Sequence, residues 1–143
     1  MASPTDAESG FTRWPWWRRW FGSRAERAAA RFLRKKRFRI LAANVADRSG
    51  ELDLIALDGR TLVIVEVRSS ESADFENLAA SVDAEKQRRI TQAALRFLKR
   101  RRLRGIAVRF DVLAVVWPAD DAAPGIRHYP DAFEAVGRFQ MHS

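Results

Sequence analysis

The chain has 143 residues, enough for one domain with a sizeable core, and contains no cysteine and only two histidines, His128 and His142. Disulfides, zinc–thiolate centres and a cysteine nucleophile are excluded, and a histidine triad or histidine-ligated zinc has almost no side chains to draw on. Chemistry must then run on carboxylates, Lys/Arg and a hard, oxygen-preferring cation, in a setting consistent with a reducing cytoplasm.

The net charge of +8 is unevenly placed. Residues 11–39 hold eleven Lys/Arg against Glu26 alone, and residues 84–104 hold nine against Glu85 alone. Residues 45–83 reverse the balance, with nine acids against Arg48, Arg60 and Arg68. A basic chain with an acidic focus suits a protein that attracts polyanions broadly and holds a divalent cation locally.

Residues 1–10 are polar and read as a disordered start. Residues 11–21 carry four of the five tryptophans among arginines. This stretch is too short and too charged to span a bilayer. Three roles stay open for it: a clasp on its own domain, a membrane-surface segment, or a nucleic acid contact. Residues 1–22 are accordingly expected to be a leader, with the folded domain over 23–143.

Ser23-Arg-Ala-Glu26 has the form of a capping box, predicting a helix from there to about Lys36. Glu26 shares a stripe with Ala29, Ala30 and Leu33, so it either serves only as a cap or also points toward a pocket. A strand is expected over 38–45 and a turn over 44–50. Residues 69–81 read as a polar loop. Asp83 caps a second helix to about Arg102, with Ile90, Ala93, Ala94, Phe97 and Leu98 as its buried stripe. A strand follows over 108–117, then a loop over 118–125, an edge strand over 126–129 and a terminal helical turn over 131–138.

Between these elements, Glu51 to Arg68 forms two β-rich runs around Asp58-Gly59, a strong hairpin signal. With those two residues as the turn, Asp53 faces Ile64 and Glu51 faces Glu66. Alternation then puts Glu51, Asp53, Ile55, Leu62, Ile64, Glu66 and Arg68 on one face. Asp53 and Glu66 become diagonal neighbours, roughly 7–8 Å apart at Cα and within reach of one ion. A solvated outer face is the ordinary explanation for acids on a hairpin. Here the same face carries Ile55, Leu62 and Ile64, and the opposite face is wholly apolar, as in a sheet covered on both sides. Carboxylates at the rim of such a sheet are costly unless paired or metal-bound.

This order of elements, with Asp53 on one strand of the hairpin and Glu66-Val-Arg68 on the other, resembles the PD-(D/E)xK nuclease superfamily. More narrowly it resembles the YraN-like family of small bacterial proteins. The likeness spans about residues 23–135. It rests on Glu26 within residues 25–33, Gly50-Glu-Leu-Asp-Leu-Ile-Ala56, Val65-Glu-Val-Arg68, Lys86-Gln-Arg-Arg89 and Arg109-Phe-Asp-Val112. The resemblance implies an α/β, restriction-endonuclease-like mixed sheet with helices packed on it, related to archaeal Holliday-junction resolvases. It implies Asp53 and Glu66 as ligands of Mg²⁺ or Mn²⁺ and Glu26 as the superfamily's first-helix glutamate. Arg68 stands where those nucleases usually carry lysine. Glu51, by the hairpin register, adds a further metal contact.

Arginine does not give up its proton, so Arg68 is suited to gripping phosphate and stabilising transition-state charge rather than to acting as base. Lys86 is either an ordinary surface residue of the second helix or a displaced catalytic lysine. Lys86, Arg88, Arg89, Arg34, Lys35 and Lys36 are the candidates for contacting flanking backbone phosphates. The expected function is divalent-metal-dependent phosphodiester hydrolysis on nucleic acid, DNA rather than RNA, with no obligate membrane association. The alternative is a non-catalytic nucleic-acid-binding protein on a nuclease scaffold. Cutting two strands would call for a homodimer.

Overall fold

In the computed structural model, residues 22–48, 50–120 and 122–136 are described. The Trp/Arg leader apart from Gly22, and residues 137–143, lie outside them.

Helix α1 (Arg24–Lys35) begins as the capping box predicts. Ser23 Oγ accepts from the Glu26 N–H at 3.2 Å, and Glu26 Oε1 accepts from the Ser23 N–H at 3.1 Å. Its buried stripe is mostly alanine, which lets the helix lie close on the sheet. Strands β1 (Arg39–Asp47), β2 (Gly50–Asp58) and β3 (Thr61–Ser70) follow as an antiparallel meander. A short helix α2 (Phe75–Ala80), capped by Asp74, interrupts the segment expected to be loop. Helix α3 (Ala84–Arg100) carries the chain across to β4 (Val108–Val116), which lies parallel to β3, and β5 (Gly125–Phe133) closes the sheet antiparallel to β4. The sheet order is β1-β2-β3-β4-β5. This is the α/β, restriction-endonuclease-like architecture, a mixed sheet with helices on both faces.

One face packs Ala43, Leu54, Ala56, Val63, Val65 and Leu113 against Ala29, Ala30 and Leu33 of α1. The other packs Ile55, Leu57, Leu62, Ile64, Phe110 and Val112 against Ile90, Ala93, Ala94, Phe97 and Leu98 of α3, the stripe read from the sequence. Burial on both sides is why β2, β3 and β4 read as nearly continuous apolar runs.

Both long helices end alike. After α1, the Arg37 N–H donates to Arg34 O and the Phe38 N–H to Leu33 O. After α3, the Arg102 N–H donates to Lys99 O and the Leu103 N–H to Leu98 O. Arg37 (φ 71°) and Arg102 (φ 56°) occupy the left-handed position where glycine is usual, each followed by a buried apolar residue, Phe38 or Leu103.

Several expectations need correcting. The β2–β3 pairs are Asp58↔Thr61, Leu57↔Leu62, Ile55↔Ile64 and Leu54↔Val65, so the turn is Gly59-Arg60 and not Asp58-Gly59. Only Gly59 has positive φ (61°), and a turn with glycine first needs no left-handed Asp58. The two-residue change in register keeps Leu54–Leu57 and Leu62–Val65 on the expected faces, while Asp53 and Glu51 lie beyond the paired ladder, with Asp53 next to Glu66. β1 continues to Asp47 rather than turning at Asn44, which keeps its place in the strand with φ 54°. The edge strand runs to Phe133 and replaces the expected helical turn over 131–136. There Asp131 takes φ 51° and its N–H is held by Asp111, which keeps the segment extended along β4.

Candidate metal centre and its basic surround

The β2–β3 ladder ends at Leu54↔Val65, and the strands part beyond it. The next backbone donor on β3, Val67 N–H, is taken by the Asp53 side chain, with Oδ2 accepting at 2.8 Å. Asp53 thus sits in the fork between two separating strands. Alternation also breaks here: Leu52 packs with the α3 face although Leu54, two residues on, faces α1.

Four carboxylates converge on this fork. Carboxylate oxygens of Glu26, Glu51 and Asp53 all lie within 4.8 Å of one another. Glu26 does two jobs at once. Its Oε1 accepts from the N–H groups of Gly22 and Ser23, closing the capping box, and from Asn44 Nδ2 at 3.2 Å. The turned backbone at Asn44 places that amide, and the α1 N-terminus, against the acidic cluster. Glu66, on β3, is only 3% exposed. Its Oε2 lies 3.6 Å from an Arg68 guanidinium nitrogen and 3.5 Å from Lys86 Nζ. Arg68 is held by Ser81, whose Oγ accepts from Nε at 2.9 Å.

The electrostatics follow from this crowding. Burial, then the neighbouring Glu66 charge, pushes the Asp53 carboxyl up to about 8, against the lowering effect of the Val67 N–H. Burial also raises Glu66, while Lys86, a hydrogen bond from protonated Asp53, and Arg68 pull it back. Glu51 is raised by burial and by Asp53 and Glu26, with Lys86 opposing. Fully ionised, four carboxylates face two cations, so the fork carries a surplus of two negative charges. A shared proton relieves part of that surplus in the ion-free protein, and a divalent cation would relieve all of it. The donors are all hard oxygens, the set that Mg²⁺ or Mn²⁺ prefers.

The remaining candidates are spread out. Lys86 belongs to the fork. Arg88 and Arg89 are exposed farther along α3, and Arg89 pairs with Glu85 at 2.7 Å. Arg34, Lys35 and Lys36 lie at the far end of α1, eight to ten residues and roughly 12–15 Å along the helix from Glu26. Lys36 Nζ is engaged with His128 Nδ1 at 3.0 Å. Nearer the acids, exposed Arg24, Arg27 and Arg31 form a cationic row on the outer side of α1 that charge counting alone did not single out.

A second buried polar cluster lies at the other end of α1. Asp111, fully buried in β4, accepts two bonds from Arg109 (2.9 and 3.0 Å), one from His128 Nε2 (2.7 Å) and one from the Asp131 N–H (2.9 Å). Burial pushes the Asp111 carboxyl up, but His128, Arg109 and the Asp131 N–H together hold it below the ordinary aspartate value. Arg109 reaches on to Asp58 at 3.1 Å. The other His128 ring nitrogen, Nδ1, meets Lys36 Nζ. The network ties β5 and the β2–β3 turn to α1. The only sequence signal for it was a pair of charges, two apart, interrupting an apolar strand.

The fold and the fork define a protein of restriction-endonuclease-like architecture. The profile of the "Uncharacterised protein family UPF0102" matches residues 25–115, and the chain belongs to that family, the YraN family. A UPF0102 protein of Rhodopirellula baltica is 50% identical over 119 residues, covering 81% of this chain and 71% of its own length. One of Geobacter sulfurreducens is 42% identical over 113 residues (79% and 88%), and one of Myxococcus xanthus 41% over 118 (82% and 92%). Among the described residues, no helix is long and apolar enough to cross a membrane.

Proposed function

We propose that this protein is a divalent-metal-dependent nuclease acting on DNA, with the β2–β3 fork as its centre. The observation that carries the reading is the meeting of Asp53 with Glu26, Glu51 and Glu66 at the end of the paired ladder, where Glu26 and Glu66 are buried and four carboxylates face the two cations Arg68 and Lys86. Asp53, Glu26 and Glu51, with Glu66 beside them, would hold Mg²⁺ or Mn²⁺. The bound ion would supply Lewis-acid polarisation of a phosphoryl oxygen and lower the pKa of a water nucleophile.

The protein's own groups do the rest. The Val67 N–H and the α1 cap fix Asp53 and Glu26, so their carboxylates need little reorganisation. Arg68, half-exposed and braced by Ser81, can grip a non-bridging phosphate oxygen as Glu66 turns to its ligand role. Lys86 offers a second positive charge from the opposite element. Arg24, Arg27 and Arg31 line an approach for backbone phosphates, a contribution that weakens with salt.

The test is nicking of supercoiled and branched DNA by the full chain with Mg²⁺ or Mn²⁺. The double variant Asp53→Ala, Glu66→Ala is expected to lose nicking while retaining salt-sensitive DNA binding. DNA bound tightly by the wild type, with no cleavage of duplex, fork, junction or RNA under any divalent ion, would instead establish a binding protein on a nuclease scaffold.

A further inference from the structure

Trp117 takes no part in the metal centre. Trp117 directly follows β4, and its backbone N–H donates to Ser70 O at 2.9 Å, fixing it beside the end of β3, two residues beyond Arg68. Its ring N–H donates to Ser69 Oγ at 2.9 Å. The Arg24 guanidinium carbon lies 3.9 Å from the ring centroid. Arg24 opens α1, two residues before Glu26, and among the described residues it is otherwise paired only with exposed Glu71, at 4.0 Å.

Core packing does not account for this arrangement. Among the described residues, Trp117 belongs to neither hydrophobic cluster and remains half-buried, while the Arg24 side chain is 51% exposed. The indole is pre-oriented by a hydrogen bond at one edge and faced by a planar cation. Such a pair presents a flat, polarisable surface with little conformational entropy left to lose. Trp117 is bonded to the end of β3, the strand that carries Glu66, and Arg24 lies on α1, the helix that carries Glu26.

We propose that the Trp117–Arg24 pair is a stacking platform for an unpaired nucleobase. This makes the preferred substrate of the fork a DNA with single-stranded nucleotides beside the scissile phosphate, such as a fork, flap or branch. In a continuous duplex both faces of every base are covered by neighbours, so only a terminal, flipped or single-stranded base can meet the platform. Arg24 adds a positive charge for the adjoining phosphate. The inference rests on the nuclease reading only for the position of that phosphate.

Binding is measured without turnover, on the full chain in EDTA, by anisotropy with a forked DNA and with a blunt duplex of equal length. 2-Aminopurine in the single-stranded arm reports stacking. Trp117→Ala is expected to weaken fork binding about tenfold, to abolish the 2-aminopurine quenching and to leave duplex binding within about twofold. Trp117→Phe keeps a ring but loses the bond to Ser69, and is expected to keep most of the fork preference. Trp117→Leu keeps an apolar side chain without a π-face and is expected to behave like alanine. Equal loss for fork and duplex, or a leucine variant as effective as phenylalanine, would overturn the platform. Duplex binding and nicking without any fork preference would defeat this inference alone. Failure of the wild type to bind any DNA would remove the nuclease reading with it.

Discussion

Replacing Asp53 with asparagine tests the physics of the fork most directly. Asparagine has nearly the same shape, keeps a carbonyl for the Val67 N–H, and gives Glu66 an amide donor in place of the shared proton. What it removes is a carboxyl that folding shifts from 3.8 to about 8. A group whose pKa is raised in the native state binds more protons there than in the unfolded chain. Its effect on stability is therefore neutral below about pH 4 and increasingly unfavourable as pH rises to about 8. Roughly four pH units at about 1.4 kcal/mol each set a ceiling near 6 kcal/mol. Asp53 is only half-buried, so water can relax around the ionised pair, and about half of that ceiling is the expected size. In EDTA, Asp53→Asn should therefore melt about 10 °C above wild type at pH 9 and at the same temperature as wild type near pH 4.5. Differential scanning fluorimetry across pH 4.5–9.5 measures it. Millimolar Mn²⁺ at pH 8 should then raise the wild-type melting temperature and leave the variant where it was. A melting difference that does not change with pH, or a wild type that gains on the variant as pH rises, would refute the argument.

Other consequences follow from the same structure. Glu26→Gln preserves a capping-box residue, so chemical denaturation should show a loss within about 1 kcal/mol, while metal-dependent nicking should fall by orders of magnitude. Asp111→Ala strands Arg109 and His128 in a buried site and should cost about 3–5 kcal/mol by urea titration at pH 7. Because the Asp111 carboxyl is held low, its contribution is present above about pH 4 and fades on acidification, so the gap between variant and wild type should narrow below that range. Arg37→Gly relieves a left-handed non-glycine residue at the end of α1 and should stabilise by about 1 kcal/mol; a loss of stability would show that the Arg37 side chain contributes more than its backbone costs.

Much of this protein was legible in its residues because the signals are local or periodic. Ser23 and Glu26 announce α1 through a motif closed within one turn. The α3 stripe emerges from 3.6-residue spacing. Apolar runs on both faces of Glu51–Arg68 require a sheet covered on both sides, and from that the three-layered helix–sheet–helix packing follows. The chemical character of the centre was equally readable: with no cysteine and histidine only near the C-terminus, carboxylates were the available ligands. Tertiary structure decided the rest. A glycine-first turn rather than an Asp-Gly one moved the register by two, a choice that packing of β2 and β3 between two helices decides. The parting of those strands after Leu54 turned Asp53 into the fork toward Glu26, which no regular alternation predicts. Asn44 and Asp131, both left-handed, depend on partners 18 and 20 residues away. Asp111 found its partners in Arg109 of its own strand and in His128 and the Asp131 N–H of β5. Convergence of distant groups costs chain entropy that only the assembled fold offsets, so residue spacing named the chemistry and the packed sheet chose which acids meet.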